Sequence, residues 1–234
     1  MKKILLILLM VIWAQSAGAV ITYVSPTAGG SQGGSSSSSV ATSALNDITG
    51  NLIVVTINGA GGTTTSVTDT ALNTYVAGSG CTTNPEIWYA KNITGNAANV
   101  VTANFGSSPA FASVSQAQYA GASTTAPFQV CTTSSGTQFG SASSGSFTPT
   151  TAGSVAIGTA ISSGDNVTSI TSYATAASSN TFIGHLLNPA LSSQTATVNF
   201  SNSGNSYSTT FAVFLPPAAA TTHTNIIRGN SIIN

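Results

Sequence analysis

"NLIVVTIN", Asn51 to Asn58, is the stretch whose reading decides the fold. Its middle is continuously apolar, the pattern of a strand covered on both faces. Other runs alternate instead. "VVTANF" places Val101, Ala103 and Phe105 on one face, and "TATVNF" does the same with Ala196, Val198 and Phe200. "SVAIGTAI" aligns Val155, Ile157 and Ile161, while "YSTTFAVFL" aligns Tyr207, Phe211, Val213 and Leu215. These residues are the expected core. Short β-branched and aromatic runs return at short intervals between Gly, Asn, Pro and Ser, and nothing reads as a long amphipathic helix. The expected fold class is all-β.

The "NLIVV" strand has a counterpart. "TGNLIVV" aligns with "AGSVAIG" at an offset of 103 residues, and the stretches ending Asn104-Phe105 and Asn199-Phe200 align at an offset of 95. Tyr119 then falls on Phe214, again at 95. Units of this length are too long for a solenoid repeat. They predict two similar strand sets, roughly 20–121 and 127–217, within one domain spanning 20–217. Two packings satisfy the pattern: a single antiparallel sandwich of jelly-roll or immunoglobulin-like type, or two tandem immunoglobulin-sized sandwiches. Cys81 lies in the loop "AGSGCTTNPE" and Cys131 at the start of the second unit. In an exported chain such a pair is most simply a disulfide, and a bridge between the units favours the single sandwich.

Export is read from the start of the chain. "MKKILLILLMVIWAQSAGA" has two lysines, an apolar run and small residues before a cleavage point between Ala19 and Val20, the pattern of a signal peptide over 1–19. The apolar run is short for a membrane span. The mature chain is expected to be secreted, extracellular or at the cell surface, with the periplasm as an alternative and no membrane span after cleavage. Beyond the signal, Lys91 and Arg228 face Asp47, Asp69, Glu86 and Asp165, a net charge of −2. Only 3% of the chain is charged, so nucleic acid, which is held by clustered Lys and Arg, is excluded as a partner. With so few ionisable groups, stability is expected to change little between about pH 5 and 9. The Gly/Ser run "AGGSQGGSSSSS", Ala28 to Ser39, reads as a flexible loop. The last strand ends at Pro216-Pro217, and 218–234 reads as a tail.

"GNLIVVTI", then "SVTDTALNTYVAGSG", then "EIWYAKNITG" resembles a recurrent β-sandwich module of secreted bacterial and bacteriophage-encoded proteins. The resemblance rests on the hairpin residues Asp69, Asn73, Thr74 and Tyr75 and on the strand carrying Trp88, Tyr89, Ala90, Lys91 and Asn92. It spans Gly50 to about Gly121 and fades in the second half. The module usually has Gly before that Asn, whereas this chain has Leu72. The resemblance implies an exported sandwich of structural or adhesive character and no established activity.

The inventory for chemistry is thin. His185 sits in the strand "FIGHLL" and His223 in the tail, with no Gly-x-Ser-x-Gly turn leading into a helix. The four carboxylates are scattered, which disfavours a glycosidase pair. Asp69 and Asp165, each beside Asn and Ser, are candidates for a single weak Ca2+ site, the alternative being capping of their own turns; no other cofactor is expected. Trp88, Tyr89 and Tyr75 are candidates for stacking against a glycan. Neighbours on a strand point to opposite faces, so Trp88 is assigned to the core and Tyr89 to the surface. The expected function is a non-enzymatic adhesive, binding or structural module whose partner is a glycan or a surface protein. The alternatives are a secreted carbohydrate-active or hydrolytic enzyme without a recognisable motif, and a phage virion component.

Overall fold

The computed structural model describes residues 18–33, 37–178 and 182–219. The expected signal peptide up to residue 17, the centre of the Gly/Ser run and the expected tail from residue 220 lie outside the described residues.

Every regular element among these residues is a strand. The first half contributes β1 (Thr22–Gly33), β2 (Ser39–Ala41), β3 (Leu45–Asp47), β4 (Leu52–Ala60), β5 (Thr64–Asp69), β6 (Val76–Ala77), β7 (Glu86–Ala90), β8 (Asn96–Asn99), β9 (Val101–Phe105) and β10 (Phe111–Ala120). The second contributes β11 (Phe128–Phe147), β12 (Val155–Ser162), β13 (Val167–Ile170), β14 (Ala174–Ser178), β15 (Phe182–Leu187) and β16 (Gln194–Phe214). All the pairings are antiparallel. The chain is therefore all-β, with sheets packed together as in a β-sandwich.

The principal sheets run β1-β10-β4-β7-β6 in the first half and β11-β16-β12-β15-β14 in the second. The two orders correspond strand by strand. So does the register: Leu52 pairs with Tyr119, and Val155, 103 residues on from Leu52, pairs with Phe214.

Burial explains the unbroken apolar run of β4. Leu52 and Val54 enter a middle core shared by the halves, together with Ile21, Ile87, Val155, Ile157 and Phe214. Ile53, Val55 and Ile57 point the other way, into a first-half core with Val67, Val101 and Phe105. β12 divides likewise. Val155 and Ile157 face the middle, whereas Ala156 and Ala160 face a third core with Val198, Phe200 and Phe211. Each large side chain so buried stabilises by roughly 1.5–3 kcal/mol. Of the expected core, Ile161, Tyr207 and Leu215 are only half-buried.

The outer layers are built differently. In the second half β11 and β16 pair as one long ribbon, with register shifts flanking Phe139. Such irregularities bend a ribbon, and here Phe147, Val198 and Phe200 share a core with Phe211 and Val213 from the other end of β16. In the first half the same cover is made by short separate strands, β9 lying between β2 and β5. Close approach is needed beneath the bend: a Cβ on Gly158 would overlap the Phe211 ring.

Two aromatic trios tie the halves together. Tyr89 stacks on Phe128 at 5.7 Å and meets Phe214 edge-on at 5.4 Å. His185 lies 4.6 Å from Tyr23 and 5.8 Å from Tyr119. Cys81 and Cys131 form the disulfide, with Cα atoms 5.8 Å apart.

The Gly/Ser run is corrected in part. The backbone of 28–33 is not a loop but continues β1, pairing with β10 from Gln116 to Phe111. Backbone hydrogen bonds to a well-formed neighbour suffice there, and they are invisible to a reading of side-chain pattern.

Candidate functional site

The hairpin after β5 is organised by one carboxylate. Asp69 Oδ1 accepts from the Asn73 backbone N–H at 2.8 Å. Its Oδ2 accepts from Asn73 Nδ2 at 2.8 Å, Asn99 Nδ2 at 2.9 Å and the buried Tyr75 hydroxyl at 3.0 Å. Asn99 Nδ2 also donates to Asp47 Oδ2 at 2.7 Å, and Gln118 Nε2 donates to Asp47 Oδ1 at 3.0 Å. The amides are held in this orientation. Backbone N–H groups of Ala71 and Ile48 donate to Asn99 Oδ1 and Gln118 Oε1, leaving only the NH₂ ends for the acids. Burial pushes both carboxyls up. At Asp69 the donors Asn73, Asn99 and Tyr75 outweigh it and hold the group below its ordinary value. At Asp47 burial wins, helped by the nearby Asp69, and the group is raised. Burial, then the adjacent Asp69, pushes the Tyr75 phenol up.

This network joins β3, β5, β8 and β10. Both oxygens of each acid already accept N–H or O–H donors, so a cation would have to displace them. The cluster is a clamp. The hairpin residues Asp69, Asn73 and Tyr75 are visible in sequence, but Asp47, Asn99 and Gln118 carry no motif that would recruit them.

A second polar site lies where the halves meet. A groove of about 650 Å³ opens between the end of the β4–β10 pair, with Asn58, Ala60 and Phe111, and the β12–β13 turn from Ile161 to Val167, closed by Phe182 and Ser206–Ser208. Asp165 is its single formal charge. Asp165 Oδ2 accepts from Asn205 Nδ2 and Gln138 Nε2, both at 2.7 Å, and Oδ1 accepts from Asn202 Nδ2 at 2.8 Å. Asn205 first, then Asn202, hold this carboxyl below its ordinary value.

The floor is polar. Asn58 is 8% exposed, and its Oδ1 has no hydrogen-bond partner among the described residues. Two residues away on the same face of β4, the Thr56 hydroxyl is fully buried and unpartnered, as is Thr159 on β12. The middle interface thus changes from hydrocarbon around Leu52 and Val155 to hydroxyl and amide toward the groove.

The expected binding trio is not brought together. Tyr75 is buried in the Asp69 clamp. Trp88 is half-buried against the first-half core, and its Nε1 donates to Glu86 Oε2 at 2.7 Å. Tyr89, assigned to the surface, packs instead against the middle core. The alternation rule misplaces it because β7 has a covered layer on each side. Asp69 and Asp165 lie in separate networks, and among the described residues no three His, Cys, Asp or Glu side chains gather as a metal site. Among the described residues, no helix is long and apolar enough to cross a membrane. No family model matches the chain, and no curated protein or solved structure matches it either.

Proposed function

We propose that the protein is a non-enzymatic, exported β-sandwich module that attaches to a surface through the groove between its halves. The carrying observation is the groove itself, which mixes aromatic and aliphatic walls with hydroxyls and amides and carries a single charge whose oxygens already accept amide donors. Concave sites of this mixture hold small ligands by shape and a few fixed polar contacts. Export is supported by the signal pattern and by the cystine, which persists in oxidising compartments. The matching strand orders support reading the halves as two copies of one unit.

The test is a binding assay of the labelled mature chain on cells, envelopes and particles, with Ser163→Trp as a groove-filling variant at an exposed position. Wild type is expected to attach and the variant to lose attachment at least tenfold, with unchanged unfolding. Equal attachment of both would remove the groove reading. Turnover in a hydrolase panel that Ser163→Trp abolishes would replace it with an enzyme.

A further inference from the structure

The groove also constrains what it can hold. Taking the groove as the attachment site, we infer that its occupant is a short segment of uncharged glycan, seated with a ring face on the aromatic wall and a hydroxyl directed to Asn58.

Charge narrows the choice first. No Lys, Arg or His lines the groove, and Asp165 is held in its ionised form by three amides. An anionic ligand, such as a phosphate, sulfate or acidic sugar, would meet a like charge with nothing to offset it. A cation would find that charge already occupied by N–H donors.

Backbone geometry argues against an extended peptide. Strand addition needs an open sheet edge. The open stretches beside the groove are short: the β7 pairing of β4 stops at Ile57 and the β15 pairing of β12 at Gly158, and just past Ile57 the Gly59 N–H already donates to Asn84 Oδ1 at 3.1 Å.

The chemistry that remains suits a sugar. Phe111, Ile161 and Tyr207 are half-buried and give an apolar wall against which the C–H face of a pyranose packs. Opposite needs are met by Asn58, whose buried carbonyl oxygen has no donor within the described protein. An unpartnered buried acceptor is costly, and turning the amide toward a ligand hydroxyl relieves it. A lipid chain would leave that group, and the Ser side chains around it, unsatisfied.

The experiment is a glycan array with matched neutral, sialylated and sulfated members, followed by calorimetry on the mature chain and on Asn58→Leu and Ser163→Trp. Neutral glycans are expected to bind and acidic ones not. Both variants are expected to lose binding at least tenfold, with urea midpoints at or above that of the wild type. Asn58→Ala serves as the second variant if Asn58→Leu fails to fold. Preference for acidic glycans, or neutral binding unaffected by both variants, overturns the inference. A third result separates it from the reading beneath it. If wild type attaches to surfaces and Ser163→Trp does not, yet no neutral glycan competes, the groove stands as the attachment site and the glycan is wrong.

Discussion

The two aromatic trios occupy corresponding positions and are built from different chemistry. Tyr89 pairs with Val54 on β4, and His185 pairs with Ile157 on β12; Phe128 pairs with Phe214, and Tyr23 with Tyr119. Each half therefore offers one ring from β7 or β15 to a pair of rings on the other half. In the Tyr89 trio the receiving rings are phenylalanines, close to the cystine: Phe128 and Cys81 both crowd Gly78. In the His185 trio they are tyrosines. Tyr119 is fully buried with an unpartnered hydroxyl, and His185 Nδ1 also lacks a partner among the described residues. The slot is geometric, so rings of either kind fill it. What changes is sensitivity: one seam is hydrocarbon and stapled, the other is polar, titratable and unstapled.

The largest effect should come from the staple. Replacing Cys81 and Cys131 by Ser opens a loop of 50 residues and is expected to cost about 4 kcal/mol in the chain-entropy account. The check is urea unfolding of the double variant. If the midpoint barely moves, the Tyr89 seam holds without its cystine and the contrast between the seams disappears.

The second effect is pH. Burial pulls the His185 imidazole below its ordinary value of 6.5, so the unfolded chain takes up the proton first. Stability is then complete above about pH 6.5 and declines as pH falls below it. The groups facing His185 are Tyr23 and Tyr119, and neither supplies a negative charge to receive the proton. His185→Phe, which copies the hydrocarbon seam, should remove this decline and raise stability at pH 5 by about 1–2 kcal/mol, because no unpartnered nitrogen is left. Melting curves at successive pH values would show it, and an unchanged acid slope would place the decline elsewhere. The flat profile expected from composition thus fails at His185, because a count of ionisable groups does not say which are buried.

The smallest effect is at the first-half hairpin. Leu72 has φ 61 and a side chain 90% exposed. A left-handed residue with a Cβ is strained by about 1 kcal/mol, and no packing offsets it. Leu72→Gly should therefore stabilise by at most about 0.5 kcal/mol in denaturant unfolding, because glycine's greater unfolded-state entropy takes back roughly 0.5–1 kcal/mol of the relieved strain. A loss of stability would mean that the Asp69 hairpin needs the leucine.

Much of this could be read from the chain. The unbroken run at Leu52–Ile57 announced a strand with two covered faces, and two cysteines after a signal pattern announced the bridge. The offsets of 103 and 95 link residues that hold the same place in each sheet. The same two-faced burial defeated the reading of Tyr89, since alternation assigns a solvent side only when one exists. The Asp69 clamp was half legible: Asn73 and Tyr75 are local, but Asn99 and Gln118 arrive from strands 30 and 49 residues further along. The groove was not legible at all. Asn58, Asp165 and Tyr207 are far apart in sequence: the β12–β16 pairing brings Tyr207 beside the turn that carries Asp165, and Asn58 joins them from the other half.

The cross-insertion of rings also bears on assembly. Since each half completes a slot in the other, two chains that traded halves would make every contact that one chain makes alone. The connection from Ala120 to Phe128 joins the halves within one chain. Once Cys81 is joined to Cys131 of the same chain, that trade is closed, because the cystine ties the two halves of one chain to each other.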